Sequence, residues 1–323
     1  MIIVYLLLIV VFSVLLIKAT DILVVNLKSL SVGSGVGQFA ITTFLLALAT
    51  SLPELFVGIT SALEGSPSLS LGNIIGSNIA DLSLVIGGAA LVGGVIKVRG
   101  RFLNKDIFYA FLAGSAPLVL LIDKSLSRID ALVLIALYAF YNIWVFAERK
   151  HDLAQERGEE MGIVRRLIRR INHRSTQTEL AWIFIGVALL LFSADMLVRV
   201  AEKIAVGLNI PLLLIGLVVL AVGTSLPELA FELKAVREKE TGMVFGDLLG
   251  SIVANGTLVI GVTSLISPIR INAFDEYLLA TMGFVVTFAL FYFFIRTKKK
   301  LERWEGAVLL AVYAVFILFE FLH

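Results

Sequence analysis

The chain has 323 residues, 59% of them hydrophobic and 16% charged, with a mean hydropathy of +0.98 and a formal charge of +2. Soluble domains carry about 45–50% apolar and about 25% charged residues, so a water-soluble globular protein is excluded and lipid must be the solvent. Cysteine is absent, which excludes disulfides, thiolate zinc sites and cysteine nucleophiles; His151, His173 and His323 lie in a charged stretch or at the terminus and argue against a histidine metal cluster.

The apolar run from Met1 to Ile17 lacks a basic start and a small-residue cleavage site, so it reads as a membrane helix and not a signal peptide. Spanning helices need about 20 apolar residues. Ten are predicted, at 2–26, 35–63, 70–96, 106–123, 129–147, 178–202, 209–236, 243–268, 274–295 and 304–322. The most polar stretch, Glu148 to Thr178, carries Arg149, Lys150, Arg157, Arg165, Arg166, Arg169, Arg170 and Arg174; it reads as a solvated linker with a short surface helix over Ile163 to Ile171. The expected organisation is therefore an all-α polytopic membrane protein: five helices in 1–147, a basic linker at 148–177 and five helices in 178–323.

Basic residues beside spans mark the cytoplasmic side. With the linker there, the same side receives Lys97, Arg99, Arg101, Lys105, Arg237, Lys239, Arg296, Lys298, Lys299, Lys300 and Arg303, while the other keeps a thin set such as Lys124, Arg128, Lys203 and Arg270. Both termini are then extracellular. An odd number of helices per half makes the halves enter from opposite sides, so a repeat between them must be inverted.

Such a repeat exists at an offset of 174 residues. Thr50-Ser51-Leu52-Pro53-Glu54-Leu55 recurs as Thr224-Ser225-Leu226-Pro227-Glu228-Leu229; Gly72, Gly76 and Ser77 recur as Gly246, Gly250 and Ser251; Leu84-Val85-Ile86-Gly87 recurs as Leu258-Val259-Ile260-Gly261. Asp21 matches Asp195, and with one residue slipped Arg128, Asp130 and Tyr138 match Arg303, Glu305 and Tyr313. Leu, Val and Ile match by chance in membrane sequences, whereas Pro, Glu, Gly and Ser in ungapped order do not. Inverted repeats with Pro- or Gly-interrupted helices point to a transport site near the bilayer midplane.

The residues at the repeat have a common chemistry. Pro53 lacks an N–H and its ring clashes with the carbonyl four residues back, which frees the carbonyl of Ala49; Pro227 does the same near Ala221 to Gly223. Thr50 and Glu54, like Thr224 and Glu228, stand four apart and so on one helix face. Ser77 with Asp81, and Ser251 with Asn255, repeat that spacing on the partner helices. All these donors are oxygens, a set that suits calcium or sodium and disfavours zinc and copper. A charged side chain at a helix centre costs about 2.5–3.5 kcal/mol, and no Lys or Arg lies at the predicted depth of Glu54, Asp81 and Glu228. Metal cations or protons must cover them, which is the condition of an exchanger. Gly72-xxx-Gly76 and Gly246-xxx-Gly250 read as close helix packing. Asn73 and Asp247 are either helix N-caps or lining of the ion path, and Asp21 and Asp195 read as structural hydrogen-bonding groups.

The paired motifs, Thr-Ser-Leu-Pro-Glu followed by Gly-x-x-x-Gly-Ser-x-x-x-Asp/Asn, closely resemble the alpha repeats of the calcium/cation antiporter superfamily, nearest to its prokaryotic sodium/calcium exchanger-like branch, over the whole chain. The resemblance implies four clustered sites, one for calcium and others for sodium. By matching position, Glu54 and Glu228 would carry calcium; Thr50, Ser51, Thr224, Ser225, Ser77 and Ser251 would add hydroxyl or carbonyl oxygens; Asp81 and Asn255 would flank the centre. It also implies that the first and sixth helices slide across the core to alternate access. The family pattern has the amide in the first repeat and the aspartate in the second, the reverse of Asp81 and Asn255 here. The first motif is preceded by Ala49 where the second has Gly223, a packing difference. Glu232 replaces the Gly58 of the first repeat, either as an extra ligand or as a charge balanced by Lys234 or Arg237; the balanced charge is the preferred reading.

The expected activity is calcium/sodium antiport, with proton-coupled divalent-cation antiport as the alternative and a passive channel as a weaker one. Proton/calcium relatives usually show Gly-Asn-x-x-Glu at the motif, and potassium-dependent relatives an aspartate where Asn255 stands, so sodium is preferred. The linker is too short for the calcium-sensing domain of animal exchangers. No His-Glu-x-x-His or Gly-x-Ser-x-Gly occurs, so an enzyme is not expected. Nor are a cofactor or a nucleic-acid partner. The expected partners are the transported ions and the bilayer of the cell membrane, around a functional monomer.

Overall fold

The computed structural model describes residues 2–33, 50–97, 103–153, 176–237 and 241–322, and it is built almost wholly of helices. In chain order these are α1 Ile2–Gly33, α2 Leu52–Leu63, α3 Pro67–Ala80, α4 Ile86–Gly93, α5 Leu103–Leu120, α6 Arg128–Leu153 and α7 Thr176–Leu208. There follow α8 Leu212–Ile215, α9 Ala221–Thr224, α10 Leu226–Arg237, α11 Thr241–Val253, α12 Ile260–Ile266, α13 Phe274–Lys298 and α14 Arg303–Leu322. Three π-helical turns fuse neighbours into longer rods: Asp81–Val85 between α3 and α4, Gly216–Leu220 between α8 and α9, and Ala254–Val259 between α11 and α12.

Among the described residues, seven rods are long and apolar enough to cross a bilayer: Ile3–Ile22, Pro67–Gly93, Lys105–Asp123, Ala181–Leu208, Leu212–Arg237, Val244–Ile266 and Phe274–Lys298. Each matches a predicted span to within a few residues. The predicted spans at 129–147 and 304–322 are the helices α6 and α14; α14 carries Arg303, Glu305 and Glu320, which dilute its apolar run. The predicted span 35–63 is described from Thr50 onward, where it contains the short apolar helix α2. The surface helix expected over 163–171 lies outside the described residues. Ile3, Ile129 and Phe184 are three-quarters exposed, a display of large apolar groups that lipid tolerates and water does not.

Two apolar cores form. One gathers α3, α4, α5, α11, α12 and α13 around Ile79, Leu82, Ile86, Phe245, Phe284 and Phe291. The other is the seam between α1 and α7, where Leu16, Ala19, Leu190, Ala194 and Ala201 meet Leu52, Val57 and Leu220. The α1–α7 contact is the most extensive between any two helices, so this pair forms one slab against the rest.

The deepest crossing lies between α3 and the rod from α8 to α9. A methyl group on Gly72 would sit 1.9 Å from the Leu213 carbonyl, one on Gly76 2.1 Å from the Leu217 carbonyl, and one on Gly216 2.1 Å from the Leu69 carbonyl. Backbone lies on backbone there, so the first small-xxx-small pattern is a packing device, as read from the sequence. Gly246 differs: among the described residues, a methyl there would meet nothing within 4 Å.

Two short antiparallel ribbons join the ends of the rods. β1 Ile96–Lys97 pairs with β4 Lys300–Leu301 in the register Ile96↔Leu301; β2 Ser125–Leu126 pairs with β3 Ile269–Arg270 in the register Leu126↔Ile269. The first ribbon collects Lys97, Lys300 and nearby Lys298, and the second collects Arg270 with adjacent Lys124 and Arg128. At the starts of α6 and α14 the acid of the first turn caps the backbone behind it: Asp130 accepts the Ser127 N–H at 2.8 Å and Glu305 accepts the Glu302 N–H at 2.8 Å, a charge-dipole contact that anchors a helix start.

Candidate ion-binding site

All ten predicted site residues are described and buried: Thr50, Ser51, Glu54, Ser77, Asp81, Thr224, Ser225, Glu228, Ser251 and Asn255. The two prolines set them up. Helix α2 begins at Leu52 with Pro53 in its first turn, where its missing N–H costs least; the preceding Ser51 has φ −84° and ψ 4°. Ser225 repeats this before Pro227, with φ −83° and ψ 1°. Each motif is thus bent at its serine, with the threonine before the bend and the glutamate after it. The Ala221 carbonyl is not free, because it accepts the Ser225 N–H at 3.0 Å and the Thr224 hydroxyl at 3.4 Å. The carbonyl that Pro227 leaves without its helical donor is that of Gly223. Ala49 lies outside the described residues.

The threonines reach across to the other half of the chain. Thr50 Oγ1 and Ser251 Oγ share a hydrogen bond at 3.3 Å, and Thr224 Oγ1 and Ser77 Oγ share one at 3.2 Å. Thr224 Oγ1 also donates to Asn73 Oδ1 at 3.3 Å, while the Thr50 hydroxyl lies beside the Asp247 carboxylate. Asn73 and Asp247 therefore flank the site at matched positions. Each lies one to two turns inside its helix, so neither is a helix N-cap.

The carboxylates stand close enough to repel one another. Glu54 feels Asp81, and Glu228 feels Glu54, Asp81 and Asp247. The Thr224 hydroxyl lies beside Glu54 and the Ser225 hydroxyl beside Asp81. Among the described residues, Glu54 Oε2, Glu228 Oε2, Asp81 Oδ1 and Asn255 Oδ1 have no hydrogen-bond partner, and the Asp247 carboxylate has none but the Thr50 hydroxyl beside it. Asn255 is held by a neighbour that the sequence reading missed: its Nδ2 donates to Asn78 Oδ1 at 3.2 Å, which leaves its own oxygen without a partner among the described residues. Among the described residues no buried Lys or Arg occurs anywhere, and no three His, Cys, Asp or Glu side chains converge tightly enough to hold a metal by themselves. Hydroxyl, amide and carbonyl oxygens would have to complete any coordination shell, as six to eight oxygens around calcium require.

Asp81 opens one π-helical turn and Asn255 lies in another. Such turns widen the helix and concentrate at functional sites; proline and glycine counting gave no sign of them. Asp21 and Asp195 lie away from this cluster, in surface ion pairs with Lys18 at 3.9 Å and Arg199 at 3.0 Å, as structural groups. Glu232 was expected to be balanced by Lys234 or Arg237. Arg237 is exposed and makes no ion pair with it, and the Lys234 side chain lies outside the described residues.

A family model described as sodium/calcium exchanger protein matches residues 4–147 and 178–322. The chain is 30% identical over 311 residues to the putative antiporter CaxA of Alkalimonas amylolytica, covering 93% of each. It is 25% identical over 337 residues to the sodium/calcium exchanger MaX1 of Methanosarcina acetivorans, covering 95% of this chain and 96% of the other. A solved structure of the sodium-calcium exchanger NCX_Mj, soaked with sodium and strontium, superposes with a TM-score of 0.62 at 27% identity, covering 98% of this chain and 99% of that one.

Proposed function

We propose that this chain, which belongs to the sodium/calcium exchanger protein family, is a secondary antiporter that moves calcium against sodium by alternating access. The family is one of membrane cation exchangers and not of enzymes. The observation that carries the finer reading is the crossed arrangement at the centre. Thr50 meets Ser251 and Thr224 meets Ser77 across the two halves, and unpartnered oxygens of Glu54, Glu228, Asp81 and Asn255 lie about them.

In this reading Glu54 and Glu228 together carry the calcium, a divalent ion matched to two carboxylates. Thr50, Ser51, Ser77, Thr224, Ser225 and Ser251 supply neutral oxygens to calcium and sodium, with Asp81 and Asn255 at the flanks. Because carboxylates buried without a cation are costly, the centre cannot turn empty between the two sides, and one ion leaves as another arrives. The slab formed by α1 and α7 is the element we take to move, since its core is separate from the main one.

We further read the chain as ten spans in two inverted halves, 1–147 and 178–323, acting as a monomer in the cell membrane with the 148–177 linker cytoplasmic and both termini outside. Matched contacts support the inversion: the ribbons Ile96↔Leu301 and Ile269↔Leu126, and the capping acids Asp130 and Glu305. The test is calcium uptake into proteoliposomes under sodium, proton or potassium gradients imposed in turn. Uptake driven by sodium alone is expected; uptake driven by a proton gradient and indifferent to sodium would replace sodium with protons as the counter-ion.

A further inference from the structure

Glu232 is 1% exposed, and among the described residues neither of its carboxylate oxygens has a hydrogen-bond partner. It stands one turn beyond Glu228 on α10, about 5–6 Å further along the axis, on the Arg237 side. Helix α10 packs against α4, the π-helical turn that begins at Asp81, and α11, which carries Asp247. The Glu232 carboxylate feels both Asp247 and Asp81, and among the described residues Asp247, itself 2% exposed, has no donor beside its carboxylate but the Thr50 hydroxyl.

The matching locus in the first half is built in the opposite way. There Gly58 stands in place of Glu232, and a Cβ on it would lie 2.6 Å from Thr263 Oγ1 and 3.0 Å from Ser70 Oγ, which hydrogen-bond each other at 3.2 Å. At the 174-residue offset, Ser70 corresponds to Val244 and Thr263 to Ala89, both fully buried. One half thus closes its slot with two paired hydroxyls. The other brings a carboxylate to the slot and has aliphatic side chains where the hydroxyl donors would be. A carboxylate kept for structure needs donors; this one has lost them and gained a second carboxylate.

We propose that Glu232 and Asp247 form a second site for a hard divalent cation, on the Arg237 side of the central glutamates. Two carboxylates match a divalent charge, and all-oxygen donors select the calcium class. The site's position beside an ion path rests on the antiport reading of Glu54 and Glu228; its ability to bind a cation does not.

The experiment is equilibrium binding of radioactive calcium to the full chain in lipid nanodiscs. Glu54→Gln/Glu228→Gln is expected to keep one calcium-binding class, and adding Glu232→Gln to weaken that class at least tenfold. Glu232→Asp in the same background keeps the carboxylate and is expected to retain binding with a several-fold shift, which separates loss of the site from loss of the fold. Calcium binding in the double variant that is unchanged by Glu232→Gln, or no binding in the double variant while Glu232 is intact, overturns the proposal. Failure of the antiport reading shows elsewhere, as calcium uptake that persists in Glu54→Gln/Glu228→Gln.

Discussion

The crossing of α3 with the rod from α8 to α9 makes a demanding test, because geometry fixes the size of the effect. In Gly72→Ala the new methyl would lie 1.9 Å from the Leu213 carbonyl oxygen and 3.0 Å from the Leu217 nitrogen. Carbon and oxygen do not approach so closely in a packed interior, so the two backbones must part by about 1 Å. A carbonyl cannot rotate away as a side chain would, which puts the cost at the upper end of the overpacking range, about 3 kcal/mol. The same rods carry Ser77 and Thr224, whose hydroxyls are 3.2 Å apart; about 1 Å of separation carries them beyond hydrogen-bond reach. Gly72→Ala is therefore expected to lower the midpoint of thermal unfolding in detergent and to reduce sodium-driven calcium uptake at least tenfold. Gly216→Ala, pressing on the Leu69 carbonyl from the other side, should behave alike. Gly246→Ala, where a methyl meets nothing within 4 Å among the described residues, is the control and should change neither. Wild-type unfolding and uptake in Gly72→Ala would refute the reasoning.

Other consequences follow from the same contacts. Ser77→Ala and Thr224→Val each remove one partner of a buried hydrogen bond, worth about 0.5–1.5 kcal/mol, so each should weaken apparent ion affinity about two- to tenfold. The double variant should be markedly less than additive; strict additivity in an uptake titration would mean the two hydroxyls act independently. Asn78→Ala should disturb ion affinity by removing the acceptor of the Asn255 amide at 3.2 Å, and unchanged affinity would remove its aiming role. Glu302, at the start of α14, contacts Lys298 at 2.9 Å and Lys300 at 2.6 Å and accepts the Trp304 indole N–H at 2.9 Å. These donors hold its carboxyl down to about 2. A depressed carboxylate stabilises the fold above its ordinary value near 4.5 and loses that contribution as pH falls toward 2. Glu302→Gln should therefore flatten the acid limb of a stability-against-pH curve and leave the region above pH 6 unaltered in shape.

Most of the architecture was legible because lipid imposes simple rules. Long apolar runs become helices when every backbone group must be satisfied internally, so the rods from Pro67–Gly93 to Phe274–Lys298 coincide with the predicted spans. The glycines and motif glutamates stood out because a duplicated sequence keeps what its backbone crossing and charges need. What escaped notice is local backbone detail. The π-helical turns at Asp81–Val85, Gly216–Leu220 and Ala254–Val259 carry no residue signature. The bend falls at Ser51 and Ser225, two residues before each proline, between the threonine and the glutamate of each motif. Asn78 was invisible because its match at the repeat offset is Ile252 and the repeat therefore gave no hint of it. For Glu232, sequence proximity to Arg237 says nothing about which way a helix turns each side chain: Glu232 faces inward and Arg237 faces out, while the Lys234 side chain lies outside the described residues.

Five carboxylates, Glu54, Asp81, Glu228, Glu232 and Asp247, lie buried together, and among the described residues no buried Lys or Arg accompanies them. At about 2.5–3.5 kcal/mol each, their charges together cost about 12–18 kcal/mol, as much as the whole stability of a typical protein, about 5–15 kcal/mol. In the proposed reading, metal cations or protons cover these charges, with Glu54 and Glu228 at the centre. The most direct measurement is radioactive calcium uptake into proteoliposomes loaded with sodium, for the wild type, Glu54→Gln and Glu228→Gln. The wild type is expected to accumulate calcium only while sodium is higher inside, and each variant to lose this uptake while remaining folded and monodisperse. Calcium entry that ignores the sodium gradient, or that survives in either variant, would contradict the account.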